Sequence, residues 1–404
     1  MADPTYFRKG FGLKTEIEGL LAADYHSHLI ATLRARDHQL TVGRLSFRLA
    51  REFGFCYGVD RAVDYAYETR LKFPDRRLFL VGEIIHNPHV NAKLEAMGIV
   101  FLARGSDGEF NFSGLTADDV VILPAFGVTI HDFNRLRELS CILVDTTCGS
   151  VLNVWKRVES YARDGFTAMI HGKHWHEETK ATASQVMKHP GGRYLVVLDM
   201  DEARAVCDFI EQGGAAAAMV ARFAGRFSPD FDFSRDLDRV GLANQTTMLS
   251  SESLAIADEV RRAMLRKFGD AEAANHVRTF DTICSATQER QDAVAQLLAD
   301  PPDLMLVVGG YNSSNTTHLA KLCASRGVTT RHIEDSDCID PDSGTLRHRP
   351  IGAKTEVKET GWLTGIGSIG ITAGASTPNN KIGETIVRVA AVAGLEAELA
   401  AALA

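Results

Sequence analysis

The chain has 404 residues, enough for two or three ordinary domains and a large buried core. Hydrophobic residues make up 45% and charged residues 24%, the balance of a globular protein. With 44 Lys and Arg against 52 Asp and Glu, the net charge of −8 argues against a nucleic-acid binder. No apolar run approaches the ~18 residues of a membrane span.

Residues 1–45 read as a helical extension. Leu13, Ile17, Leu20 and Leu21 share one helix face, and His28, Leu29 and Leu33 begin a second. The expected role is a packing arm or an oligomer contact. Asp3, Arg8 and Lys9 break any signal-peptide core, and Glu16, Glu18 and Asp24 argue against an organellar transit peptide. Seven widely spaced cysteines (56, 141, 148, 207, 284, 323, 338) predict reduced thiols and a cytoplasmic protein.

From Phe47 onward, short apolar strands alternate with amphipathic helices. A first round has strands over 78–81, 120–124 and 142–144, with a helix over 89–97 that Gly98 ends. A second has a helix over 152–163 and strands over 167–170, 194–198, 216–220 and 240–244. A third has a helix after Cys284, strands over 304–308, 329–333 and 369–372, and a helix ending near Gly327. This alternation predicts an α/β fold with parallel sheets.

Three cysteines punctuate the pattern. Phe53-Gly54-Phe55-Cys56, Asp145-Thr146-Thr147-Cys148 and Asp281-Thr282-Ile283-Cys284 each close an apolar or Thr-rich run and precede a helix. Repetition at this scale predicts three small α/β domains about a pseudo-threefold axis. They span 46–147, 148–283 with an insertion near 213–236, and 284–385, between the extension and a C-terminal helix over 386–404. That tail is expected to pack, or to form a homodimer contact. Ligands of parallel sheets bind at strand carboxyl ends, so three inward-facing ends would share one cavity.

The three cysteines lack the paired spacing of structural zinc or of ferredoxin-type clusters. They suit a cluster with one iron not held by cysteine and open to substrate. Zinc, or three ordinary buried thiols, stays open as an alternative. Cys141, Cys207, Cys323 and Cys338 lack the pattern and are expected to be structural.

Gly309-Gly310-Tyr311-Asn312-Ser313-Ser314-Asn315 is a turn between strand and helix, where backbone N–H groups and small hydroxyls suit a phosphate. The same residues could simply cap a helix. Gly374-Ala375-Ser376-Thr377 repeats the logic, and Asn244-Gln245-Thr246-Thr247 adds hydroxyls. His171-Gly172-Lys173-His174-Trp175-His176-Glu177-Glu178-Thr179 gathers cations for a diphosphate and a carboxyl for proton delivery. A solvated loop competes, as does a metal at His174 and His176, although the His-Glu-x-x-His spacing is absent. His86, in Ile84-Ile85-His86-Asn87-Pro88, is another strand-end histidine.

Read together, Gly54-Phe55-Cys56 with Gly58-Val59-Asp60-Arg61-Ala62, Glu83-Ile84-Ile85-His86-Asn87, Asp145-Thr146-Thr147-Cys148, His176-Glu177-Glu178, Gln245-Thr246-Thr247, Cys284 with Ala286-Thr287, Ser313-Ser314-Asn315 and Thr372-Ala373-Gly374-Ala375-Ser376 carry a resemblance. The set resembles the 4-hydroxy-3-methylbut-2-enyl diphosphate reductases of the LytB family, the last enzymes of the methylerythritol phosphate route to isoprenoids. The motifs run in the family's order from about Phe47 to Pro378. The leader Phe7-Arg8-Lys9-Gly10-Phe11-Gly12 resembles the cyanobacterial and plant branch.

The resemblance implies an oxidoreductase built as a trefoil of three α/β domains. One oxygen-sensitive 4Fe-4S cluster per chain would be held by Cys56, Cys148 and Cys284, its fourth iron binding the substrate's allylic hydroxyl. Two electrons, from ferredoxin or flavodoxin, and two protons would remove that hydroxyl as water. Isopentenyl and dimethylallyl diphosphate would result. By position, Glu178 and His176 would serve proton delivery and Thr246 would orient the hydroxyl. His86, His176, Ser313, Asn315 and Ser376, with Ser314 beside them, would hold the diphosphate.

Ala125-Phe126-Gly127 departs from the Ala-His-Gly of many bacterial members. A phenyl ring neither donates to phosphate nor relays a proton, so Lys173 or His174 is expected to supply the missing contact. Two rivals stand beside this reading. One is a non-catalytic iron–sulfur sensor; the other is a phosphosugar-binding enzyme without a cluster.

Overall fold

The computed structural model describes residues 5–106, 108–279 and 282–404. Asp281 of the third cysteine phrase and residues 1–4 of the extension lie outside the described residues. The chain is α/β and divides into two compact units. The first comprises Met1–Lys9, Asp75–Gly82 and Val100–Cys284; the second comprises Gly10–Pro74, Glu83–Ile99 and Ser285–Ala404.

The first unit is built on two sheets. One runs in the order Tyr6–Phe7, Ile142–Asp145, Val120–Leu123, Leu78–Val81, Ile99–Leu102, and its first four strands pair in parallel. The other runs Val277–Arg278, Val240–Asn244, Thr167–His171, Arg193–Val197, parallel throughout. Thr167–His171 and Val240–Asn244 are buried at every position, as strands covered on both faces must be. The expected insertion packs as core: Phe223, Phe231 and Phe233 are buried, and Phe231 and Phe233 meet edge to face with ring centroids 5.0 Å apart.

The second unit holds one five-stranded sheet, in the order Thr330–Ile333, Leu304–Val308, Ser368–Ala373, Leu45–Leu49, Gln39–Val42. All pairs are parallel except the terminal hairpin. Leu306, Val308, Ile371 and Phe47 bury themselves in its core, each stabilising the unit by about 1.5–3 kcal/mol. Helix Lys14–Tyr25 packs here through Ile17, and Asp24 accepts from Tyr67 Oη and Lys93 Nζ, both at 2.7 Å.

Several expectations need correction. Residues 216–220 form not a strand but the helix Ala216–Arg222, because a run of alanines bounded by Gly213 and Gly214 favours helix whatever its length. The extension is not wholly helical, since it opens with strand Tyr6–Phe7 and closes with strand Gln39–Val42. Strand Leu45–Leu49, which spans the expected boundary between the extension and the first domain, pairs with Ser368–Ala373. The C-terminal tail is two helices, Asn379–Val392 and Glu396–Leu403, parted at Gly394 with φ +67°. The small antiparallel sheet Ile339–Asp340, Thr345–His348, Val357–Glu359 carried no sequence signal strong enough to name.

Candidate active site

In the first unit the polar loop follows strand Thr167–His171. Burial pushes the His171 imidazole down to about 4, so it is neutral, with Nδ1 2.8 Å from Ser253 Oγ. Gly172 makes the turn: a Cβ there would lie 2.8 Å from Thr179 Oγ1 and 3.0 Å from Gln245 Cβ. Helix Glu177–Val186 then begins with His176 as its cap, the ring Nδ1 accepting the Glu178 N–H at 3.1 Å. A ring that accepts at Nδ1 carries its proton on Nε2, which makes that nitrogen a donor.

Glu178 is 3% exposed. Its Oε1 accepts the backbone N–H of Thr246 at 2.6 Å, and its Oε2 accepts the Thr246 hydroxyl at 3.0 Å. The Thr246 carbonyl in turn accepts the Cys284 N–H at 3.3 Å, and Thr282 Oγ1 accepts the Asn244 N–H at 2.6 Å. Across from this, Cys148 donates its N–H to Ala125 O at 2.8 Å, and the next residue, Phe126, presents its ring to His176 edge on at 6.1 Å. A continuous chain of contacts therefore runs from Cys148 through Phe126, His176, Glu178 and Thr246 to Cys284.

Gln245 is a residue that the spacing did not single out. Fully buried, it accepts from Lys173 N–H at 3.0 Å and Thr179 Oγ1 at 3.1 Å, and donates to Thr247 Oγ1 at 2.9 Å. It locks the Lys173–Thr179 loop to the Thr246 loop. Burial, then the Arg226 guanidinium, hold His174 below its ordinary value, leaving Lys173 as the loop's steadier cation.

The second unit brings together the hydroxyl turns and Cys56. Ser313 caps helix Ser314–Ser325, its Oγ accepting the Thr316 N–H at 3.3 Å and the Thr316 hydroxyl at 3.0 Å. Ser376 Oγ lies 3.4 Å from both Ser313 Oγ and the His86 carbonyl. Asn315 is buried, its Oδ1 accepting the Ala375 N–H at 3.1 Å and its Nδ2 donating to Thr287 Oγ1 at 3.3 Å. The buried Ser314 hydroxyl has no hydrogen-bond partner among the described residues. His86 Nδ1 lies 2.7 Å from Glu83 Oε2, which fixes the ring. Cys56 donates its N–H to Ala375 O at 3.3 Å, and buried Arg290 holds the Gly54 carbonyl at 2.6 Å.

Cys148, Cys284, His176, Glu178 and Thr246 thus belong to the first unit, and Cys56, His86, Ser313, Ser314, Asn315 and Ser376 to the second. Among the described residues, neither unit by itself groups three His, Cys, Asp or Glu side chains as a metal-ion site.

The LytB protein family matches residues 47–390. The chain belongs to the LytB family. It is 47% identical over 399 residues to the 4-hydroxy-3-methylbut-2-enyl diphosphate reductase of Gloeobacter violaceus, covering 98% of this chain and 94% of that one. It is 48% identical to the protein of that name from a Synechococcus strain, covering 95% and 93%. The solved structure of (E)-4-hydroxy-3-methyl-but-2-enyl diphosphate reductase, the terminal enzyme of the non-mevalonate pathway, is similar with a TM-score of 0.51 and 26% identity, over 85% of this chain and 98% of that one. The Plasmodium falciparum reductase structure, at 20% identity and a TM-score of 0.63, shares the fold. This LytB-family chain is accordingly an oxidoreductase, and both curated relatives are cyanobacterial, the branch that its leader resembles.

Proposed function

We propose that this LytB-family chain reduces 4-hydroxy-3-methylbut-2-enyl diphosphate, replacing the allylic hydroxyl with hydrogen. Two electrons and two protons are consumed, water leaves, and isopentenyl and dimethylallyl diphosphate form. The observation that carries the reading is Glu178. A buried carboxyl fixed through both oxygens by Thr246 is placed to hold a proton for a leaving hydroxyl. A non-catalytic iron–sulfur sensor has no use for that arrangement, and a phosphosugar-binding enzyme has no use for a cluster.

The cysteines divide as a cluster would require. Cys56, Cys148 and Cys284 are partly exposed and stand at the N-terminal ends of helices Tyr57–Lys72, Gly149–Arg163 and Ser285–Leu297. Cys141, Cys207, Cys323 and Cys338 are buried, and burial pushes their thiols up, Cys207 and Cys323 to about 12. The residues fit a 4Fe-4S cluster held by the first three. When bound, such a cluster supplies the two electrons and one iron free of cysteine that polarises the C–O bond.

The protein's own groups do the rest. Thr246 orients the hydroxyl and Glu178 holds the proton that departs with it as water. The His176 Nε2–H donates toward the diphosphate or replenishes that proton. His86, Ser313, Ser314, Asn315 and Ser376 bind the diphosphate, the unpartnered Ser314 hydroxyl being a donor in waiting. The electrons come from a one-electron carrier, ferredoxin or flavodoxin, in the cytoplasm, where thiols stay reduced. Among the described residues, no helix is long and apolar enough to cross a membrane.

Anaerobic purification with iron and sulfide counting tests the reading first. About four of each per chain, with a broad visible band, is expected in the wild type. Cys56→Ala should lose both. A colourless protein after anaerobic reconstitution would overturn the cluster and with it the reaction.

Lys173 supplies the second test. With Phe126 unable to donate and His174 held below its ordinary value by burial and Arg226, Lys173 is the cation that replaces the missing histidine contact. Lys173→Ala should raise KM roughly tenfold, the worth of one hydrogen bond to a charged group, and leave kcat within a factor of about two. Unchanged KM and kcat would remove the assignment.

A further inference from the structure

The leader ends the first unit's sheet in an unexpected way. Tyr6–Phe7 is its outer strand, Tyr6 opposite Leu143 and Phe7 opposite Val144, and the Leu143 N–H donates to Thr5 O at 2.7 Å. Parallel pairing carries the side chains of Tyr6 and Arg8 to the carboxyl end of Ile142–Asp145, just where the Cys148 loop begins. There the Tyr6 hydroxyl donates to Asp145 Oδ2 at 2.5 Å, and Arg8 Nε lies 3.5 Å from the same oxygen.

Asp145 is 5% exposed, and its other oxygen is engaged by the loop itself. Oδ1 accepts from the Thr147 N–H at 2.9 Å and from the Thr147 hydroxyl at 2.5 Å. One carboxylate therefore ties the leader on one side to the residue before Cys148 on the other. Burial beside Asp145 raises the Tyr6 phenol, so it remains a donor across the physiological range. The rest of the loop is pinned to the neighbouring strand, by Thr146 Oγ1 on Leu123 O at 2.6 Å and Cys148 N–H on Ala125 O at 2.8 Å. The Asp145 clamp is a fixing that the extension provides.

We propose that the N-terminal extension sets the position of a ligand-bearing loop, with Tyr6 and Arg8 acting as positioning residues on Cys148 through Asp145 and Thr147. The extension is then a part of the redox site's outer shell rather than a packing arm alone. An outer carboxylate that loses its donors leaves the ligand backbone free to drift, and outer-shell partners are commonly worth about 10–100-fold in metal retention. The consequence for a cluster rests on the function proposed above; the clamp on the loop does not.

The experiment uses Tyr6→Phe and Arg8→Gln in the full chain. Tyr6→Phe keeps the ring and its edge contact with Phe133, at 5.6 Å, and deletes only the donor. Anaerobically purified holoprotein is challenged with a chelator and iron release is followed. The same chains, once freed of iron, are pulsed with iodoacetamide, and labelling at Cys148 and Cys284 is read by mass spectrometry. Release about tenfold faster in both variants, with a rise in labelling confined to Cys148, is the expected result. Unchanged release and labelling would overturn the proposal, as would an equal rise at both cysteines, which would mean general loosening. A wild type that holds no iron would overturn the function proposed above, and the ratio of labelling would still decide the role of the leader.

Discussion

Glu178→Gln should lower turnover by about 10²- to 10⁴-fold while leaving the iron content and the folded stability close to wild type. The substitution isolates the proton because the amide can reproduce the geometry. Its oxygen accepts the Thr246 N–H where Oε1 now does, at 2.6 Å, and its NH2 turns toward the Thr246 hydroxyl, which rotates from donor to acceptor. No charge is stranded. What is lost is a group that can give up a proton beside the leaving hydroxyl. Thr246→Ala should cost turnover too, with Thr246→Ser recovering most of it, since serine restores the hydroxyl that donates to Oε2. A Glu178→Gln enzyme working at more than about a tenth of the wild-type rate would place the proton source elsewhere. His176 would be the next group to test.

Much of this site was legible because its chemistry is written in short runs at strand ends. Leu304–Val308, Val240–Asn244 and Leu78–Val81 occur as read, since short, mostly apolar runs bounded by charged residues, Gly or Asn leave a buried strand few alternatives. Cys148, Glu178, Ser313 and Ser376 each follow such a strand, so reading the strands located the residues. What the sequence hid is pairing across long separations. Nothing local tells Leu45–Leu49 to join Ser368–Ala373, or Tyr6–Phe7 to extend the strand that ends at Asp145. The alanine-rich stretch 216–220 misled for the opposite reason: its length suited a strand, and its intrinsic preference prevailed. Gln245 and Thr316 went unassigned because their work is done on other side chains, which spacing does not reveal.

Thr316 leads to the second large effect. Gly374→Ala should cost about 1–3 kcal/mol of stability in the second unit and weaken diphosphate binding roughly tenfold or more. A Cβ on Gly374 would overlap Thr316 Oγ1 and stand 3.0 Å from its Cβ and 3.2 Å from its backbone nitrogen. Thr316 is fully buried and has nowhere to retreat, since Gly309, at φ +141°, closes the other side: a Cβ there would sit 2.8 Å from the same Oγ1. Two glycines from two strand ends therefore make the slot for one threonine. That threonine positions the turn, its hydroxyl and N–H both bound to Ser313 Oγ, which in turn meets Ser376. Displacing it disturbs both hydroxyl turns at once. The effect should be partly repaired in Gly374→Ala/Thr316→Ala, where the overlapping oxygen is gone, so that the two changes are clearly non-additive. Denaturant midpoints read the stability, and calorimetry with inorganic pyrophosphate reads the binding without recourse to turnover. Stability lost with pyrophosphate affinity intact would show that the Ser313 and Ser376 turns are helix caps and nothing more. Loss of both, with recovery in the double variant, is the outcome that a diphosphate cradle braced by Thr316 requires.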